Sequence, residues 1–134
     1  MDPENIRVLV ADDDRIVRRI VTTKLSGLGY TVAEAADCQE ALERLDDGVV
    51  YDLLITDQLM PRINGLQLIR ALRDSPEPGR SGLPVIMLTS KSGEQDIIEG
   101  LEAGLDDYVA KPFSPDELAA RVRTVLWRTR RKSS

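Results

Sequence analysis

Six residues able to do chemistry stand just past short apolar runs. Asp12 and Asp13 follow residues 6–11, Asp57 follows 52–56, Thr89 and Ser90 follow 83–88, and Lys111 follows 108–110. The chain has no histidine and a single cysteine, Cys38. That excludes a Ser-His-Asp triad, a histidine or thiolate zinc site and any histidine phosphoacceptor. The chemistry left is that of carboxylates, hydroxyls, a lysine and a hard cation bound through oxygen. Three carboxylates brought together repel, so a divalent cation is the expected partner, and Mg²⁺ fits because it binds through a few carboxylates while keeping several waters. Lys111 would neutralise remaining charge and can hold a phosphoryl oxygen. Asp57 is an ionised nucleophile at neutral pH.

The intervening sequence must bring these residues together. Residues 6–11, 30–35, 52–56, 83–88 and 108–110 read as strands, short and apolar, with Val and Ile prominent in several of them. Between them run helical patterns: Val17, Ile20, Val21 and Leu25; Ala41, Leu42 and Leu45; Leu68, Ile69 and Leu72; Ile97, Ile98 and Leu101; Leu118, Val122, Val125 and Leu126. Gly27 and Gly29 close the first helix, Asp37 with Glu40 forms a capping box, Ser92 with Gln95 forms another, and Ser114-Pro115-Asp116-Glu117 starts the last helix. Residues 74–82, with two prolines and two glycines, form a loop. Five such units imply an α/β fold, a doubly wound five-stranded parallel sheet of flavodoxin-like order 2-1-3-4-5 with five helices. Sites in such sheets lie at the carboxyl ends of the strands near the switch point, where all six residues fall.

The bulk composition agrees. With 134 residues, 42% of them hydrophobic and 31% charged, the chain suits one folded domain. Its apolar runs are too short to cross a bilayer, and its acidic, polar N-terminus shows no signal peptide. A lone cysteine fits a reducing cytoplasm. The net charge of −5 argues against nucleic-acid binding by the domain, although residues 128–132 are basic.

The stretches Val8-Leu9-Val10-Ala11-Asp12-Asp13-Asp14, Asp52-Leu53-Leu54-Ile55-Thr56-Asp57-Gln58-Leu59-Met60-Pro61 and Asp107-Tyr108-Val109-Ala110-Lys111-Pro112-Phe113 resemble the response-regulator receiver family of two-component signalling. The resemblance covers roughly residues 5 to 128, leaving 129–134 as a basic tail or linker stub. It implies that Asp57 takes a phosphoryl group from a histidine kinase or histidine phosphotransfer protein, and that the domain is not an enzyme in the ordinary sense. It implies a Mg²⁺ ion held by Asp13 and Asp57 directly, by Asp12 through water and by the Leu59 backbone carbonyl. Lys111 would contact first Asp57 and then the phosphoryl group. Thr89, with Ser90 beside it, would bind the phosphoryl group, Tyr108 would turn inward, and the peptide before Pro112 would be cis. The face made by the fourth helix, fifth strand and fifth helix would then engage an output domain, an effector protein or a second copy of the chain.

Other readings stand beside these. Asp14, Asp106 and Asp107 read as caps or loop residues, and Cys38 as an inert helix residue. Tyr108 reads equally as a half-buried strand aromatic. Leu59 and Lys91 depart from common family choices, and Leu59 would slow self-dephosphorylation because it cannot orient a water. A Mg²⁺-dependent phosphatase of haloacid-dehalogenase type is the rival, since Asp12 and Asp14 make an Asp-x-Asp after the first strand. Against it, the chain is short and its best nucleophile follows the third strand. A flavodoxin-type ligand module is disfavoured because three aspartates would repel a phosphate in the first loop.

Overall fold

The structure, a computed structural model, describes residues 5–57, 65–77, 79–90 and 94–132. Strands and helices alternate: β1 (Arg7–Ala11), α1 (Arg15–Gly27), β2 (Thr31–Ala35), α2 (Cys38–Asp46), β3 (Leu53–Asp57), α3 (Gly65–Arg73), β4 (Val85–Thr89), α4 (Glu94–Ala103), β5 (Asp107–Ala110) and α5 (Pro115–Lys132). The strands form one parallel sheet in the order β2-β1-β3-β4-β5. This is the doubly wound order expected from the alternation of apolar runs, with the switch point between β1 and β3.

Side chains on successive strand residues point to opposite faces, and each face is apolar because helices cover both. Val8, Val10, Leu53, Ile55, Ile86, Leu88 and Val109 pack against Val21 and Leu25 of α1 and Leu118, Val122, Val125 and Leu126 of α5. Leu9, Ala11, Leu54, Val85 and Met87 pack on the other face against Cys38 and Ala41 of α2 and Leu68, Ile69 and Leu72 of α3.

Local chemistry sets the helix ends. Asp14 caps α1 by accepting from the Ile16 and Val17 amides. The helix closes with a Schellman arrangement: Gly29, at φ +101°, donates to the Ser26 carbonyl and Tyr30 to that of Leu25. Asp37 caps α2 through the Glu40 amide, but the reciprocal bond of Glu40 goes to Ala36 and not to the cap residue. Ser114 Oγ accepts from the Glu117 amide at the start of α5. The Ser92–Gln95 box falls outside the described residues.

Three expectations need correcting. Ile20, Ile98 and Leu101 are 43%, 38% and 56% exposed, so none of them belongs to the buried stripe of its helix. The last helix runs on to Lys132, so α5 takes in residues 129–132 of the basic stretch.

Arg73, the last residue of α3, had no distinguishing mark in the sequence. Its guanidinium donates to the carbonyls of Gly104, Ser81 and Leu83 and to the Asp106 carboxylate. The same Asp106 oxygen accepts from the Val85 amide at 2.8 Å, so one fork ties α3, the start of β4 and the turn after α4 together. Gly104 sits at φ +105°, and a Cβ there would lie 2.7 Å from Arg73 Nε. Gly104→Ala is therefore expected to cost about 1–3 kcal/mol, measured by urea unfolding; a variant as stable as the parent would contradict this packing.

Candidate functional site

The site forms where β1, β3, β4 and β5 end. Asp57 closes β3, in register with Leu88 of β4, and Thr89 one step further on pairs with Ala110 of β5. Asp12 directly follows β1, and its amide donates to the carbonyl of Ala35, the last residue of β2. Lys111 follows β5, its amide bonded to the Thr89 carbonyl at 2.8 Å, and the Lys111–Pro112 peptide is cis. Asp12, Asp57 and Lys111 continue the alternation of Val10, Ile55 and Val109, whose side chains share one face of the sheet. Thr89 follows the opposite alternation, that of Val85 and Met87.

These placements bring charge together. One oxygen from each of Asp12, Asp13 and Asp57 lies within 4.8 Å of the others. Asp12 and Asp57 are buried and Asp13 is exposed, which leaves one open side. Lys111 Nζ bridges the two buried carboxylates, 3.0 Å from Asp12 Oδ2 and 3.1 Å from Asp57 Oδ2. The other Asp12 oxygen accepts from the Asp14 amide at 2.8 Å. Thr56 Oγ donates to the Asp57 carbonyl at 3.0 Å.

The electrostatics follow from burial. Burial raises the Asp12 carboxyl above its ordinary 3.8 and Asp57 adds to the rise, while the Asp14 amide and Lys111 oppose it. Burial alone would lower Lys111, but its hydrogen bonds to Asp12 and Asp57 outweigh that and hold it above 10.5. The ammonium stays charged. Three carboxylates against this one ammonium leave a formal −2, which a divalent cation would balance, and the all-oxygen donor set is one that Mg²⁺ accepts. Burial also pushes the Cys38 thiol up to about 12, as an inert core residue requires.

Of the site residues anticipated from the motifs, Asp12, Asp13, Asp57, Thr89, Ser90 and Lys111 fall at this end of the sheet. Ser90 is exposed next to buried Thr89, and Tyr108 is half-buried against the cluster on the α2–α3 face. Leu59 and Lys91 lie outside the described residues. Asp14 is the α1 cap, Asp106 serves the Arg73 fork, and Asp107 pairs with Arg121 at 3.1 Å. Arg18 of α1, which donates to the Asp12 carbonyl, and Glu34 of β2, which accepts from Arg18, show no motif signal; in sequence they read as an ordinary helix residue and an ordinary strand residue.

Fold and site together define a doubly wound α/β domain with a lysine-bridged acidic pocket at its switch point. The chain matches the family described as response regulator receiver domain over residues 8–123. It is 44% identical over 128 residues to "Probable transcriptional regulator ycf27" of Porphyridium aerugineum, covering 96% of this chain and 51% of that protein. It is 42% identical over 123 residues to "Transcriptional regulatory protein CpxR" of Escherichia coli, covering 92% and 50%. Among solved structures, the receiver domain of the Francisella response regulator 1452 superposes with a TM-score of 0.84 at 38% identity, covering 93% of this chain and 99% of that one. The chain belongs to the response-regulator receiver family of two-component signalling. It spans about half the length of the curated relatives it matches. The haloacid-dehalogenase reading finds no support among these similarities.

The sign of the Asp12 shift gives a test. Its folded value lies above the unfolded one, so the folded chain holds the extra proton between pH 3.8 and the raised value, and stability falls as pH rises through that window. At pH 7, without metal, ionised Asp12 carries the full penalty. Asp12→Asn is expected to raise the thermal midpoint at pH 7, with the advantage shrinking as the pH is lowered into the acid range. Calorimetry at both pH values checks this, and a midpoint lowered at pH 7 contradicts it.

Proposed function

We propose that Asp57 is the phosphoacceptor of this domain and that its phosphorylation governs an output partner. One observation carries the reading: Asp57, in the strand next to the switch point, shares Lys111 with Asp12 and lies within reach of the carboxylate of Asp13. A carboxylate oxygen of Asp57 attacks phosphorus, the P–N bond of a phosphohistidine breaks, and the imidazole leaves with the electron pair. The product is a mixed anhydride. Such transfer depends on positioning and on stabilising charge at the equatorial oxygens. The carboxylates of Asp12, Asp13 and Asp57 would hold a Mg²⁺ ion, which supplies part of that positive charge when bound. Lys111 supplies the rest, moving its hydrogen bond from the Asp57 carboxylate to a phosphoryl oxygen.

The donor is a histidine kinase or a histidine phosphotransfer protein. Beside the acidic turn, α1 offers it exposed Ile16 and Ile20 with Arg15, Arg19 and Lys24 around them.

Thr89 and Tyr108 carry the response. They lie on neighbouring strands, and Thr89 Oγ is a hydrogen-bond donor one residue beyond the level of Asp57. Drawing Thr89 toward a phosphoryl oxygen frees space for Tyr108 and shifts the α4–β5–α5 face. Ile98 and Leu101 are exposed on that face, and Arg121 of α5 pairs with Asp107 of β5. An output domain or a second copy of the chain would dock there. Because curated relatives of twice the length are described as transcriptional regulators, a transcriptional output is the natural consequence, in the cytoplasm.

Incubation with a phosphorylated kinase tests the assignment. Asp57→Asn is expected to lose at least about 100-fold in label uptake, on the scale of removing a nucleophile. Thr89→Ala is expected to take up label yet leave the amide resonances of β5 and α5 unshifted. Label uptake by Asp57→Asn at the normal rate would overturn the reading.

A further inference from the structure

We propose that Arg18, anchored by Glu34, is a positioning residue for the acidic turn: it fixes the peptide plane between Asp12 and Asp13 and so sets how their carboxylates meet a divalent cation. The inference deepens the receiver reading and rests on it.

Arg18 Nη1 donates to the Asp12 carbonyl at 2.7 Å, a short charge-assisted bond. Its Nε donates to Glu34 Oε1 at 3.3 Å, and Arg19 holds the other Glu34 oxygen at 3.0 Å. The Arg18 side chain is only 15% exposed, so this is no loose surface contact. The Asp12 carbonyl belongs to the same rigid plane as the Asp13 amide. Rotating that plane changes ψ of Asp12 and φ of Asp13, and with them the direction of the Asp13 side chain relative to Asp12. The preceding plane is tied as well, through the Asp12 amide and the Ala35 carbonyl. Both peptides flanking Asp12 are thus fastened to the last two residues of β2, Glu34 and Ala35. Side-chain bonds to the Asp14 amide and Lys111 complete the hold on Asp12.

Arg18 grips a backbone carbonyl and touches no site carboxylate, so its effect on the site is geometric. That separates it from Lys111, whose role is electrostatic. Lysine at position 18 would keep the charge but lack the planar fork that grips a carbonyl and a carboxylate together.

Mn²⁺ titration of the full chain followed by electron paramagnetic resonance reads the metal affinity directly. A parallel series measures the rate of Asp57 phosphorylation by acetyl phosphate as Mg²⁺ is raised. Arg18→Lys and Glu34→Ala are expected to bind Mn²⁺ about tenfold more weakly, and to recover the parent rate once Mg²⁺ saturates. Glu34→Gln, which keeps an acceptor oxygen for Arg18 Nε, is expected to stay near the parent in affinity. Parent-like Mn²⁺ affinity in both Arg18→Lys and Glu34→Ala would overturn the inference, whatever happens to their thermal midpoints. A parent chain that binds no Mn²⁺ would overturn the receiver reading and this inference together.

Discussion

The structure is organised around a repulsion it does not remove. Asp12 and Asp57 are buried side by side, with carboxylate oxygens within 4.8 Å, and at an effective dielectric of about 20 such a pair repels by roughly 3 kcal/mol. A domain selected for stability alone would replace one of them. Here Lys111 spans both, and its own burial penalty is offset by the two hydrogen bonds it makes. The pocket remains negative, a charge that a divalent cation would balance.

Everything else serves to deliver those three side chains to one point. The two-residue alternation of the strands places Asp12, Asp57 and Lys111 on the face that carries Val10, Ile55 and Val109, although 99 residues separate Asp12 from Lys111. The same alternation sends Thr89 and Tyr108 to the other face, toward α3 and the turn after α4. One sheet therefore puts the lysine-bridged carboxylates on one face and Thr89 and Tyr108 on the other.

Much of this was legible because it rests on local patterns. Apolar runs marked the strands, caps such as Asp14, Asp37 and Ser114 marked the helix starts, and the doubly wound order followed from the alternation of units. The Asp12, Asp13, Asp57 and Lys111 cluster then needed only the rule that sites lie at strand ends. Features that depend on long-range geometry were hidden. Arg18 and Arg73 look like any surface arginine until the fold shows which carbonyls they reach. Glu34 is equally ordinary in sequence until the fold shows that it holds Arg18. Ile20, Ile98 and Leu101 fit the helical period yet are exposed, so periodicity marked as core what is surface. The basic end of α5 carries helix-forming arginines and lysine without a breaker, and the helix continues through them.

The most direct test of the account is to trap the acyl phosphate chemically. The chain is treated with phosphoramidate and Mg²⁺, reduced with borohydride, which converts an aspartyl phosphate to homoserine, and read by peptide mass spectrometry. The account requires homoserine at position 57 and aspartate unchanged at 12 and 13. Homoserine at either of those positions, or none at 57, would contradict it.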